Sequence, residues 1–70
     1  MDFAKTVKQI RQELNISQEQ LARHIEVSFA SVNRWENGKN CPNMLTKRVL
    51  YEFCKDKGLN EELLKSIIAD

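Results

Sequence analysis

Reactive side chains are scarce in these 70 residues. His24 is the single histidine, and it lies beside Leu21 and Ile25 in a helical pattern, so it reads as a solvent-facing helix residue and not a general base. Cys41 and Cys54 are neither close in sequence nor joined by histidine at metal-ligand spacing. A reduced pair in a cytoplasmic chain is expected, with a disulfide as the alternative. Glu61 and Glu62 are adjacent, which sends them to different parts of a helix surface, whereas paired-carboxylate catalysis needs convergence. The two glycines, Gly38 and Gly58, form no phosphate-cradling loop. We therefore expect no enzyme, no cofactor and no metal. The remaining chemistry is that of binding. Ser28, Asn33 and Arg34 bring a hydroxyl, an amide and a forked guanidinium within one short segment.

The segment that must position them is Ser17 to Gly38, SQEQLARHIEVSFASVNRWENG. Ser17 followed by Gln20 forms a capping box: the serine oxygen accepts from a free backbone N–H and the glutamine reaches back. Leu21, Ala22 and Ile25 then share one helical face. A second helix opens at Ser28, turns Val32 and Trp35 inward, and stops at Asn37-Gly38, where glycine can turn left-handed. Each cap also carries a hydrophobic staple, Ile16 on Leu21 and Val27 on Val32. Two helices of about two turns with almost no linker must cross steeply, as in a helix-turn-helix.

The flanks are helical too. Phe3, Val7, Ile10 and Leu14 mark one face of a helix capped by Asp2 and closed by Asn15. Lys39 to Asn43 is a loop, because Pro42 holds Cys41 extended. A fourth helix is expected from Asn43 or Met44 to about Lys57, with an apolar stripe of Leu45, Val49, Leu50 and Phe53, and Cys54 and Tyr51 at its margin. Gly58 ends it. Asn60 caps a fifth helix, whose Glu61 and Glu62 suit the positive end of the helix dipole and whose Leu63, Leu64, Ile67 and Ile68 form an apolar face. The expected fold class is all-α: a compact bundle of five helices in a single domain spanning 1–70.

Composition sets the outer bounds. Hydrophobic residues make up 41% and charged residues 30%, which fits a small packed globule with a solvated surface. No apolar run is long enough to span a membrane, and MDFAKTVKQI lacks the apolar core of a signal peptide. The net charge is only +1, but its distribution is uneven. Arg34 to Arg48 holds four basic residues and one acid; Glu52 to Asp70 holds three and five. One end is thus suited to face phosphate, or the pattern is ordinary surface scatter.

The segment resembles the helix-turn-helix of the phage-repressor/Cro family, also called XRE-like, through Gln18, Leu21, Ala22, Ile25, Val27, Ser28, Ser31, Val32, Arg34, Trp35, Glu36, Asn37 and Gly38. With the flanking helices the similarity runs from about Phe3 to Lys57. It implies a lambda-repressor-like DNA-binding domain. One residue departs: the family usually has glycine in the turn, where this chain has Glu26. A left-handed glutamate costs on the order of 1 kcal/mol, so a slightly altered turn is expected.

The resemblance also assigns sites. The second helix of the motif would lie in the major groove, with Ser28, Phe29, Ala30, Asn33 and Arg34 towards base edges. Arg34 suits guanine O6 and N7, or else a phosphate; Asn33 suits adenine; Ser28 suits a base or a phosphate. Phe29 either meets a thymine methyl or folds back on Met44, Leu45 or the first helix. Ala30 allows close approach. Ser31 faces its own scaffold. Gln18, at a helix N-terminus, suits a phosphate. Asn37, Lys39, Asn40, Asn43, Lys47 and Arg48 complete the phosphate set by resemblance, with Lys5, Lys8 and Arg23 as lesser candidates. Arg11 would pair with Glu36, the alternative being two unconnected surface charges.

The leading expectation is a sequence-specific double-stranded DNA binder, a bacterial or phage transcriptional regulator. A DNA-targeting module of a restriction-modification-type enzyme and an antitoxin- or adaptor-like interaction module are the alternatives. The partners expected are duplex DNA and a second copy as a homodimer, with no membrane. Leu64, Ile67 and Ile68 are either the dimer face or core. No separate ligand-sensing domain is expected within the chain.

Overall fold

The computed structural model describes residues 2–69. Five helices follow in order: α1 (Phe3–Leu14), α2 (Gln18–His24), α3 (Phe29–Glu36), α4 (Met44–Asp56) and α5 (Glu61–Ile68). Each begins on a side-chain cap. Asp2, Ser17, Ser28, Asn43 and Asn60 all accept from a backbone N–H three residues on, which satisfies a donor the helix itself leaves free. At Ser17 the capping box is complete: Gln20 N donates to Ser17 Oγ at 3.0 Å and Ser17 N donates to Gln20 Oε1 at 2.8 Å.

Four helices also end alike, on a left-handed residue: Asn15 (φ 56°), Glu26 (φ 59°), Gly38 (φ 73°) and Gly58 (φ 78°). At each end the residue that follows donates its N–H back along the helix, Ile16 to Arg11, Val27 to Ala22, Lys39 to Arg34 and Leu59 to Cys54. These bonds help to satisfy the carbonyls of the last helical turn. Glu26 stands in the turn where the family usually has glycine. It takes the left-handed conformation that favours glycine. Two backbone hydrogen bonds, Glu26 N to Arg23 O and Val27 N to Ala22 O, hold it there.

One core joins all five helices. Val7 and Ile10 of α1, Leu21 and Ala22 of α2, Val32 and Trp35 of α3, Leu50 and Cys54 of α4, and Leu63, Leu64 and Ile67 of α5 are buried, with Ile25 from the turn. The staples expected of Ile16 and Val27 pack against this core from its edge, as does Phe3, whose ring meets Trp35 edge-on at 5.8 Å. Helix α3 lies against α2 and α1, and α5 against α4 and α1. Among the described residues no buried side-chain polar atom lacks a hydrogen-bond partner. Thr6, fully buried, donates to the Asp2 carbonyl oxygen.

One expectation about an apolar face is corrected, and one left open is decided. Leu45 and Val49 do not join the α4 stripe; they are 73% and 44% exposed. Leu50 and Cys54, one turn apart, set the inward direction, and Val49 lies roughly 100° round from Leu50. On α5, Leu64 and Ile67 are core and only Ile68 remains exposed. Both cysteines are free: Cys41 is exposed and Cys54 buried, and burial pushes the Cys54 thiol up to about 12. Asp70, one of the acids counted at the C-terminal end, lies outside the described residues.

Candidate nucleic-acid interface

The residues expected to read bases are all on α3 or its cap. Val32 and Trp35 turn into the core, which fixes the rotation of the helix and sends its other faces outward. Ser28, Phe29, Ala30 and Arg34 are exposed, and Asn33 is half-buried. Phe29 is 53% exposed and lies outside the buried core. Ser28 has less freedom than its type suggests. Its Oγ accepts from Ser31 N at 3.1 Å and lies 3.0 Å from Ser31 Oγ, so the two hydroxyls are engaged mainly with each other and the cap. Ser31 accordingly faces its own scaffold, as expected. Arg34 makes one long bond along its own helix, Nε to the Ala30 carbonyl oxygen at 3.5 Å. Asn37 donates to Asn33 Oδ1 at 3.4 Å.

The scaffold beneath α3 is fixed by charge. Arg11 Nε donates to Glu36 Oε2 at 2.6 Å and Nη2 donates to Glu36 Oε1 at 2.8 Å. The remaining Nη1 donates to the Ile16 carbonyl oxygen at 3.2 Å. One guanidinium thus links α1, the α1–α2 connection and the last turn of α3. The Glu36 side chain is 3% exposed and the Arg11 side chain 25%. Burial by itself raises the Glu36 carboxyl. Hydrogen bonds from Arg11 and Gln18, with the charges of Arg11 and Lys8, outweigh it and leave the group below its ordinary value. The hydrogen bond to Glu36 raises Arg11, against the opposing effect of burial.

Gln18 shows what sequence reasoning missed. Its Nε2 donates to Glu36 Oε1 at 3.1 Å. The side chain read as a phosphate contact is therefore also part of the Arg11–Glu36 network, and its amide is oriented by the same carboxylate. The capping box pointed to Ser17 and Gln20, and nothing local marked the residue between them as a partner of α3.

The expected phosphate set is drawn from α2, the connection after α3, and α4. Asn37, Lys39 and Asn40 are exposed in the connection that leaves α3. Asn43 caps α4, its Oδ1 accepting from Thr46 N at 2.9 Å, which leaves its amide N–H groups outward. Lys47 is half-buried and places Nζ 5.5 Å from the centre of the Phe3 ring, beside α1 and α3. Arg48 goes elsewhere: it lines a shallow hollow with Met44, Tyr51, Glu52 and Ile68, where α4 meets α5. His24 is exposed, as expected, and its ring stacks on Phe53 at 4.9 Å. Among the described residues no group of three or more His, Cys, Asp or Glu side chains is placed to hold a metal ion.

Two packed helices joined by a short turn, the second resting on an ion pair with a buried carboxylate and presenting its leading end to solvent, define a helix-turn-helix domain. Comparison with known proteins agrees: a family model described as helix-turn-helix matches residues 7–46, and the chain belongs to that family, of the XRE, phage-repressor/Cro type. It is similar to the HTH-type transcriptional activator BcrR of Enterococcus faecalis, with 38% identity over 53 residues. That alignment covers 76% of this chain and 26% of the relative, so the chain spans about a quarter of the length of the curated relative it matches. No solved structure gives a significant match. No helix among the described residues is long and apolar enough to cross a membrane.

Proposed function

We propose that this chain is the sequence-specific, double-stranded DNA-binding module of a transcriptional regulator, acting by binding and not by catalysis in the cytoplasm. The observation that carries the reading is α3. Its inner face is locked by Val32, Trp35 and the Arg11–Glu36 pair, while Phe29, Ala30 and Arg34 stand free at its outer face. A helix held this way can enter a major groove without giving up core contacts. Arg34 and Asn33 supply polar contact to base edges, and Ser28 serves chiefly to start the helix. Lys39, Asn40, Asn43 and Lys47 grip the backbone on the side of α3 from which the chain leaves. Gln18 and Asn37 extend the grip, and Arg48 is the least suited of the set. The resemblance to a transcriptional activator supports regulation as the setting.

Binding as a two-fold pair completes the proposal. With Leu64 and Ile67 in the core, the apolar side chains left for a second copy are Met44, Leu45, Val49 and Ile68. Arg48 and Glu52, one turn apart beside them, form no ion pair within the described part of the chain. They suit an antiparallel partner on which each charge meets the other's opposite. The face is small, so association in free solution is weak.

The test is affinity for mixed-sequence duplex DNA over a range of salt. Neutralising several phosphates makes the logarithm of affinity fall linearly with the logarithm of salt concentration. A flat response, or no binding, would turn the assignment towards a protein-interaction module.

A further inference from the structure

We propose that the leading turn of α3 reads a 5-methyl group on a pyrimidine, so that the preferred half-site contains thymine, or 5-methylcytosine in its place, opposite Phe29 and Ala30. This rests on the reading of α3 as the groove-facing helix. The carrying observation is a lack of hydrogen-bonding capacity where such a helix meets bases first. Ser28 and Ser31, the two hydroxyls of this turn, bond each other at 3.0 Å, and Ser28 Oγ also accepts from Ser31 N. One hydroxyl hydrogen is left between them. Phe29 and Ala30, the side chains that do project, have no polar atoms.

The fold also leaves about half of Phe29 in solvent. This residue is 53% exposed, lies outside the core cluster and stacks on neither of the aromatic partners found in this fold, which are Phe3 with Trp35 and His24 with Phe53. An exposed aromatic ring is favourable against apolar surface and poor against a base edge that needs a hydrogen bond. In the major groove the apolar feature is the C5-methyl of thymine. Cytosine lacks it, and methylation of cytosine at C5 restores it at the same place. Ala30, one position on, is small enough to let the ring approach. Polar discrimination then falls to Asn33 and Arg34, one turn further along the helix, so the methyl-bearing position and the polar-read positions are neighbours in the same half-site.

The experiment starts from the duplex enriched by selection from random sequence. Each thymine is replaced in turn by deoxyuridine, which removes only the methyl. At one or two positions per half-site affinity should fall about three- to tenfold, in line with the burial of one methyl and its contacts. A site carrying cytosine at that position should recover part of its loss when the cytosine is methylated. Phe29→Ala, whose melting temperature should be unchanged because the ring is exposed, should abolish the difference between thymine and deoxyuridine while leaving the salt dependence intact. Indifference to deoxyuridine at every position, or discrimination that survives Phe29→Ala, would overturn the proposal with DNA binding still standing. A selection that enriches no sequence would remove the DNA-binding reading and this proposal with it.

Discussion

Arg11 and Glu36 stand twenty-five positions apart and are joined by two parallel hydrogen bonds of 2.6 and 2.8 Å. The pair links the first helix to the end of the third. Its partners are unequal: the carboxylate is almost wholly shielded and the guanidinium partly wet. Removing one side therefore leaves an uncompensated charge on a half-closed site. Glu36→Ala should lower stability by about 2–3 kcal/mol, below the full cost of breaking a deeply buried pair because Arg11 keeps some water. Arg11→Met with Glu36→Leu should recover much of that loss. Chemical denaturation of the three variants checks both statements, and an unchanged midpoint for Glu36→Ala would remove the pair from the account.

The same carboxylate sets an acid limit. Its folded value lies below the ordinary 4.5. A depressed carboxyl contributes stability that is present above the unfolded value and is lost as pH falls through the folded one. Stability should therefore decline below about pH 4.5 in the native chain. In Glu36→Gln this part of the decline should be missing, so the two stability curves converge in acid. Parallel curves would show that Glu36 does not titrate in this window.

Glu26 is a correctable strain. Its φ of 59° suits glycine, and the turn keeps its backbone bonds without help from the side chain. Glu26→Gly should stabilise the fold by up to about 1 kcal/mol, set against the greater freedom of glycine in the unfolded chain. Thermal unfolding measures the balance. A clear destabilisation would mean that the exposed glutamate makes a contribution outside the turn.

Arg34 and Lys39 should fail differently. If Arg34 grips a base edge, Arg34→Ala should cost about 1–3 kcal/mol on the preferred duplex and relax preference at one position. Lys39→Ala should weaken binding on all sequences alike and reduce the salt slope by about one. Equal losses for Arg34→Ala on every duplex would move that residue to the phosphate set.

Self-association is open to a direct check. Leu45→Asp places a charge in the middle of the exposed α4 face and should leave folding intact, since Leu45 is 73% exposed. Cooperative binding to a two-half-site duplex should then be lost, with single half-site affinity retained. Cooperativity that persists would exclude this face as the contact.

What the sequence made legible was whatever is decided locally. All five caps are set within four residues, and so are the stops at Gly38 and Gly58; the stops and the caps Asp2, Ser17, Ser28 and Asn60 are readable from residue type, whereas Asn43 reads only as a helix boundary and a phosphate contact. Helix phase is a tertiary matter, and on α4 the reading failed, although the inward faces of α1, α2 and α3 are as expected. Leu45 and Val49 have the right chemistry for a core, but Leu50 and Cys54 determine which side of α4 faces inward. Leu64 and Ile67 were legible as apolar and not as core or contact. The bond from Gln18 to Glu36 joins residues far apart in sequence, and neither side chain announces it. Phe29 had two destinations on paper, and residue type alone could not show that the packing of α3 leaves it outside the core.

The most direct measurement is residue-resolved NMR of the labelled protein titrated with its selected duplex. Amide and side-chain shifts should be largest at Phe29, Ala30, Asn33 and Arg34 and along the connection from Lys39 to Asn43, with Val7, Ile10 and Ile67 little moved. Shifts concentrated on the α4–α5 hollow around Arg48 and Tyr51, with α3 silent, would contradict the account at its centre.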